Sequence, residues 1–143
     1  MAHPRVNYGN NEQSILYAET GGACPLCTLP ILFKKASSKK LSKGYEIAHI
    51  YPLNSTPLQT TVLEGLAPPS ELNALENLIL LCPSCHRKYD KDFKIEEYQN
   101  LLAIKEGYLR ETEARQTASQ HSLHEEIKAV SYTHLRAHET DSY

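Results

Sequence analysis

The stretch ENLILLCPSCHRKYD, residues 76–90, decides the fold. An apolar, strand-like run at residues 78–81 leads into Cys82-x-x-Cys85, and His86 and Asp90 follow directly. Pro83 is tolerated in the first turn of a helix, so PSCHRKYDKDF predicts a helix that begins there. Positions i and i+4 of a helix share a face, which lets His86 and Asp90 reach one ion. Taken alone, these residues allow one metal site with polar neighbours, or two sites side by side.

Upstream, Cys24-x-x-Cys27 completes the set of four cysteines in the chain. Two such pairs far apart in sequence point to a four-thiolate structural zinc, because each tight turn supplies two soft ligands of a tetrahedron. The 54 residues between the pairs make the site a clip joining the start of the domain to its end. Disulfides fit poorly with a start, MAHPRVNYGNN, that has no apolar stretch resembling a secretory signal. A thioredoxin-like pair needs a βαβ frame, which is missing. Four thiolates also leave no open coordination position, so this zinc is architectural.

The chain of 143 residues suits one compact domain with an appendage. It has no tryptophan and two phenylalanines, so its modest core gains from a staple. No apolar run approaches the roughly 18 residues of a membrane span, and the sequence predicts a cytoplasmic protein without a membrane partner. Net charge is −2, but its distribution is uneven. Residues 1–95 hold ten Lys/Arg against eight Asp/Glu, and residues 96–143 hold five against nine. Lys34, Lys35, Lys39, Lys40 and Lys43 cluster ahead of the central strand, and Arg87, Lys88, Lys91 and Lys94 follow the second cysteine pair. Such runs are ordinarily solvated faces, and become a phosphate footprint only where nearby residues work on phosphate.

Along the chain, NNEQSILYAETGG predicts a short helix capped by Asn10 or Asn11 and ended by Gly21-Gly22. ACPLCTLPILF predicts a cysteine turn leading into a short strand, and the Lys/Ser-rich segment to Ser42 a loop or hairpin tip. GYEIAHIY predicts a strand stopped by Pro52. Residues 54–70, with Pro57, Pro68 and Pro69, predict an irregular loop. ELNALENLILL passes from a helical turn to an extended run. Tyr98, Leu101, Leu102, Tyr108 and Leu109 share a helical face, which predicts a long helix over 95–115 that continues more weakly past Leu123. The expected division is residues 1–95 as the main domain, 96–130 as a helical linker or partner-binding extension, and 131–143, SYTHLRAHETDSY, as a non-native tail resembling translated adapter sequence. That origin devalues the i, i+4 pair His134 and His138.

Cys24-Pro-Leu-Cys27, EIAHIYPL, ENLILLC and CPSCHRKYD occur in an order that resembles the HNH nucleases, the ββα-metal family, over residues 20–95. The resemblance implies an α+β fold: a small ββα domain stapled by zinc, followed by the long C-terminal helix. It implies a metal-dependent endonuclease that hydrolyses phosphodiester bonds in DNA. His49 takes the part of general base, since free histidine titrates near neutral pH. Asn77 matches the middle asparagine that fixes the loop carrying the base. His86 and Asp90 match the helix positions that hold Mg2+ or another divalent cation. Many members carry a ligand directly before the base, where this chain has Ala48. Glu46 lies on the same side of a regular strand as position 48 and is a reserve ligand, more in keeping with a structural role. The two-site reading of ENLILLCPSCHRKYD follows from the resemblance. Two rival readings stay open: a non-catalytic zinc module that binds nucleic acid or protein, and a nuclease subunit of an anti-phage defence complex gated by a partner ATPase.

Overall fold

The computed structural model describes the backbone of residues 3–34 and 41–133, and side chains within 3–33 and 41–120. The Lys34–Lys40 lysines and the histidines of the C-terminal tail lie outside the described side chains. Helix α1 (Asn10–Thr20) starts from Gly9 rather than from Asn10 or Asn11. It stops at Gly21, whose φ of 65° is the left-handed conformation that a helix end requires and glycine takes freely. Strands β1 (Leu32–Lys34) and β2 (Leu41–Lys43) pair antiparallel; the sequence predicted the first strand and a loop or hairpin tip after it, but not the second strand. Strand β3 (Glu46–His49) pairs antiparallel with β4 (Leu78–Leu81), with Glu46 opposite Leu81 and His49 opposite Leu78.

Between them, residues 54–70 depart from the expected loop: Pro57–Val62 form a short helix, α2. Thr56 caps it, its hydroxyl accepting from Gln59 N–H while the Gln59 side chain returns to the Thr56 N–H. This reciprocal Thr-x-x-Gln box satisfies two orphan donors and was written in the sequence as TPLQ. A 3-10 turn over Leu75–Asn77 leads into β4. Helix α3 (Pro83–Lys91) follows at once, with Cys82 as its cap and Pro83 in its first turn. Helix α4 (Ile95–Thr133) extends well beyond residue 115. The small α+β architecture, with β3, β4 and α3 as a ββα unit and a long C-terminal helix, is the one the sequence implied. Residues 1–108 form one compact unit, and residues from Leu109 on a second. No helix among the described residues is long and apolar enough to cross a membrane.

All four residues of β4 are fully buried, which explains why LILL shows no polar alternation. Leu16 of α1, Ile31, Ala48 and Ile50, Tyr89 and Phe93, and Leu101 of α4 complete the core. Tyr89 satisfies its hydroxyl by donating to the Ile50 carbonyl at 2.7 Å, tying α3 to the exit of β3. Its ring stacks edge-on against Phe93. A charged pair also enters this interior. Lys105 is 1% exposed and pairs with Glu19 of α1, which is itself nearly covered. Burial lowers the Lys105 pKa, against the opposing pull of the Glu19 carboxylate. Removing one partner of such a pair strands a charge, whereas replacing both with apolar residues removes the desolvation penalty too. Lys105→Ala is therefore expected to cost about 3–5 kcal/mol in urea unfolding. The double change Glu19→Leu/Lys105→Met should cost much less, and an equal loss in both would show that the pair is not what matters there.

Candidate metal centre and active site

The four cysteines meet. Cys24 and Cys27 come from a turn in which Thr28 N–H donates to the Cys24 carbonyl and Cys24 N–H to the Leu29 carbonyl, both at 2.8 Å. Thr28 holds this turn with φ at 66°, a left-handed conformation that costs a β-branched residue roughly 1–3 kcal/mol. The other pair brackets the start of α3. All four Sγ atoms lie within 4.8 Å of one another, and Cys27 Sγ is 3.7 Å from Cys82 Sγ. Zinc–sulfur bonds of about 2.3 Å in a tetrahedron set sulfurs about 3.8 Å apart, so the donor set fits zinc. Backbone N–H groups point at the sulfurs: Cys82 N–H at Cys24 Sγ (3.5 Å) and Cys85 N–H at Cys82 Sγ (3.4 Å). Burial raises the Cys24 pKa, but the N–H groups of Cys82, Cys27 and Leu26 outweigh it and bring the thiol down to about 7. Burial and the neighbouring thiols push Cys85 up instead. Four thiolates packed this closely repel one another, and a dication among them is the charge that reconciles their ionisation.

Next to the cluster, α3 carries His86 and Asp90 on one face. His86 Nε2 lies 3.1 Å from Asp90 Oδ2, and the opposite edge of the ring, Nδ1, lies 2.8 Å from Glu46 Oε1 of β3. The Asp90 hydrogen bond raises the His86 pKa most, burial opposes it, and Glu46 raises it further. Two donor atoms 3.1 Å apart suit adjacent positions on one divalent ion with bonds of about 2.1 Å. Glu46 contacts the other edge, where it orients the ring rather than joining that fork. A carboxylate on the second nitrogen of a ligating histidine fixes its tautomer and raises its basicity. Ala48 is fully buried and offers no donor. Among the described residues, the four cysteines are the group in which three or more donor atoms converge.

His49 ends β3, half-buried, with Nε2 2.9 Å from Asn73 Oδ1. The Tyr8 hydroxyl donates to the same oxygen at 2.9 Å, and a carboxamide oxygen can only accept. His49 Nε2 therefore carries the proton, and Nδ1 is the lone-pair nitrogen of the neutral ring. Burial lowers the His49 pKa below 6.5, the Asn73 hydrogen bond partly opposes it, and Arg5 adds to the depression. Asn77, 4% exposed, spends its whole amide on backbone. It accepts from Tyr51 N–H (2.8 Å) and donates to the carbonyls of Tyr51 (3.0 Å) and Leu72 (2.9 Å). The chain just after His49 is thereby tied to the loop that carries Asn73.

A cavity of about 620 Å³ is lined by His49, His86, Glu46, Tyr45, Lys43 and Arg5 among others. A smaller one of about 190 Å³ brings His49 and His86 together with Asp90, Gln59 and Arg5. The structure thus gathers His49, His86 and Asp90 at the smaller cavity, with Asn77 behind them as a brace. Sequence reasoning missed Asn73, Gln59 and Arg5. Gln59 is 3% exposed and donates to the Asp90 carbonyl at 3.0 Å, so α2 steadies the end of α3. Its signal was the capping box; Asn73 had no signal beyond standing four residues before Asn77.

A family model described as HNH endonuclease matches residues 24–103, more than half of the chain. A search of the curated proteins found no match. Metal analysis of the purified protein should return about one zinc per chain, released with loss of fold when a mercurial titrates the thiols. A protein that keeps its fold with no zinc bound would contradict the fit.

Proposed function

The chain belongs to the HNH endonuclease family, and from that premise we propose that it is a metal-dependent endonuclease hydrolysing phosphodiester bonds in DNA. One observation carries the reading: His49 and the His86–Asp90 fork line the same cavity. In this reading His49 Nδ1 takes the proton from the attacking water, and Asn73 holds the ring by its protonated Nε2. Asn77 keeps the Ile50–Tyr51 backbone, and with it His49, at a fixed height over the groove. His86 Nε2 and Asp90 hold a divalent cation such as Mg2+, with Glu46 orienting His86 from behind. The cation, when bound, polarises the scissile phosphate and stabilises the departing 3′ oxygen. The cysteine cluster takes no part in the chemistry.

The test uses supercoiled plasmid with magnesium, manganese or nickel. His49→Ala should nick about 10²–10⁴-fold more slowly than wild type while keeping its zinc, which is the usual worth of a general base. Equal nicking by both proteins would remove His49 from the mechanism. No nicking by either would favour a module that binds without cutting. The pH profile offers a separate check. An imidazolium cannot accept a proton, so activity is lost as pH falls through the His49 pKa. Because burial depresses that pKa, the acid limb should lie below pH 6.5. His86 must also be neutral to hold the cation, so the profile is read at saturating metal; a limb that stays above pH 6.5 there would point to another group as the base.

A further inference from the structure

The N-terminal segment lies outside the family match, yet it reaches the site. Residues 3–9 form no helix or strand, and they are fastened at two points. At one end His3 N–H donates to Asn54 Oδ1 (2.7 Å) while Asn54 Nδ2 donates to the His3 carbonyl (3.0 Å), a two-point grip on backbone. At the other end the Tyr8 hydroxyl donates to Asn73 Oδ1, the atom that also receives His49 Nε2, and Gln13 Nε2 donates to the Tyr8 carbonyl. Between these anchors stands Arg5. It lines both cavities that contain His49 and His86, and its charge is felt at the His49 ring.

The neighbouring carboxylates are already engaged, Glu46 and Asp90 each with His86. Among the described residues no carboxylate forms an ion pair with the exposed Arg5 guanidinium. A planar cation with five donors, held on a doubly anchored strap over a groove and left without an anion, is suited to a tetrahedral oxyanion that it can grip with two bonds. A solvated arginine on a loose terminus would need neither anchor, and would not be held beside the candidate base. We propose that Arg5 is a substrate-binding residue contacting the phosphate oxygens of DNA in the cleavage groove, so that the strap completes the site.

This inference rests on the nuclease reading, and its test separates the two. DNA affinity is measured against salt in a His49→Ala background, with and without Arg5→Ala. Losing one phosphate contact should reduce the slope of log K against log[salt] by about 0.9. In the otherwise wild-type protein, Arg5→Ala should lower kcat/KM for nicking by about 10- to 100-fold, the worth of a charged hydrogen bond. Arg5→Lys, which keeps the charge but not the fork, should recover part of that loss. Zinc content serves as the check on folding. Asn54→Ala, which frees the strap while leaving Arg5 in place, should lower nicking as well, and should do little more once Arg5 is already Ala. An unchanged salt slope with unchanged nicking in Arg5→Ala overturns the proposal. If wild type does not nick at all, the nuclease reading fails, and the salt slope still decides whether Arg5 touches phosphate.

Discussion

Four sulfur atoms from the two ends of a long excursion meet in one cluster, and the placement of every other functional group depends on that meeting. The 54 residues between Cys27 and Cys82 contain the hairpin, β3, α2 and the loop with Asn73 and Asn77. The core that holds this much irregular backbone is small: no tryptophan and two phenylalanines, with tyrosines such as Tyr89 and Tyr98 supplying most of its aromatic surface. A zinc bound there would close the loop through metal–thiolate bonds and offset conformational entropy that a small core meets with difficulty alone. The buried β4 run then serves as the spine against which α1, β3 and α3 pack.

The same cluster sets the direction of the candidate active site. Cys82 caps α3 and Cys85 sits in its first turn, so the sulfurs fix where the helix starts and how it is rotated. His86 is the next residue and Asp90 lies one turn further along the same face. The cysteine cluster thus orients the candidate metal pair without touching it. On the opposite side, β3 delivers Glu46 to one edge of His86 and His49 to the groove, while Asn77 clamps the backbone just after His49. Three groups at the groove are held by a second one: His86 by Glu46, His49 by Asn73, and the backbone of Asp90 by Gln59 through its carbonyl. Such support holds the two histidine rings in place, as a preorganised site would require.

Much of this was legible because it depends on local spacing. Cys-x-x-Cys turns, the alternation lost in LILL, Pro83 at a helix start and the i, i+4 spacing of His86 and Asp90 are all properties of a few adjacent residues. The irregular stretch 54–70 was misread because its prolines outweighed a capping box, although Pro57 at the first helical position belongs with that box. Asn73 and Arg5 were illegible for a different reason. Their importance comes from residues 24 and 44 positions away, brought to them by the fold, and no local period encodes such a meeting. Glu46 could be placed on a strand face from sequence, but its engagement with the far edge of His86 required the helix and the strand to be seen together.

The central claim is that two metal sites of different character, one closed and one open, share helix α3. It is tested most directly by an anomalous-scattering crystal structure of His49→Ala bound to a short DNA duplex and manganese. The account predicts a zinc signal at the four Sγ atoms and a manganese signal about 2.2 Å from both His86 Nε2 and an Asp90 carboxylate oxygen, in contact with a backbone phosphate. Manganese held elsewhere, or a single metal at the cysteines with DNA bound away from His86, would contradict it.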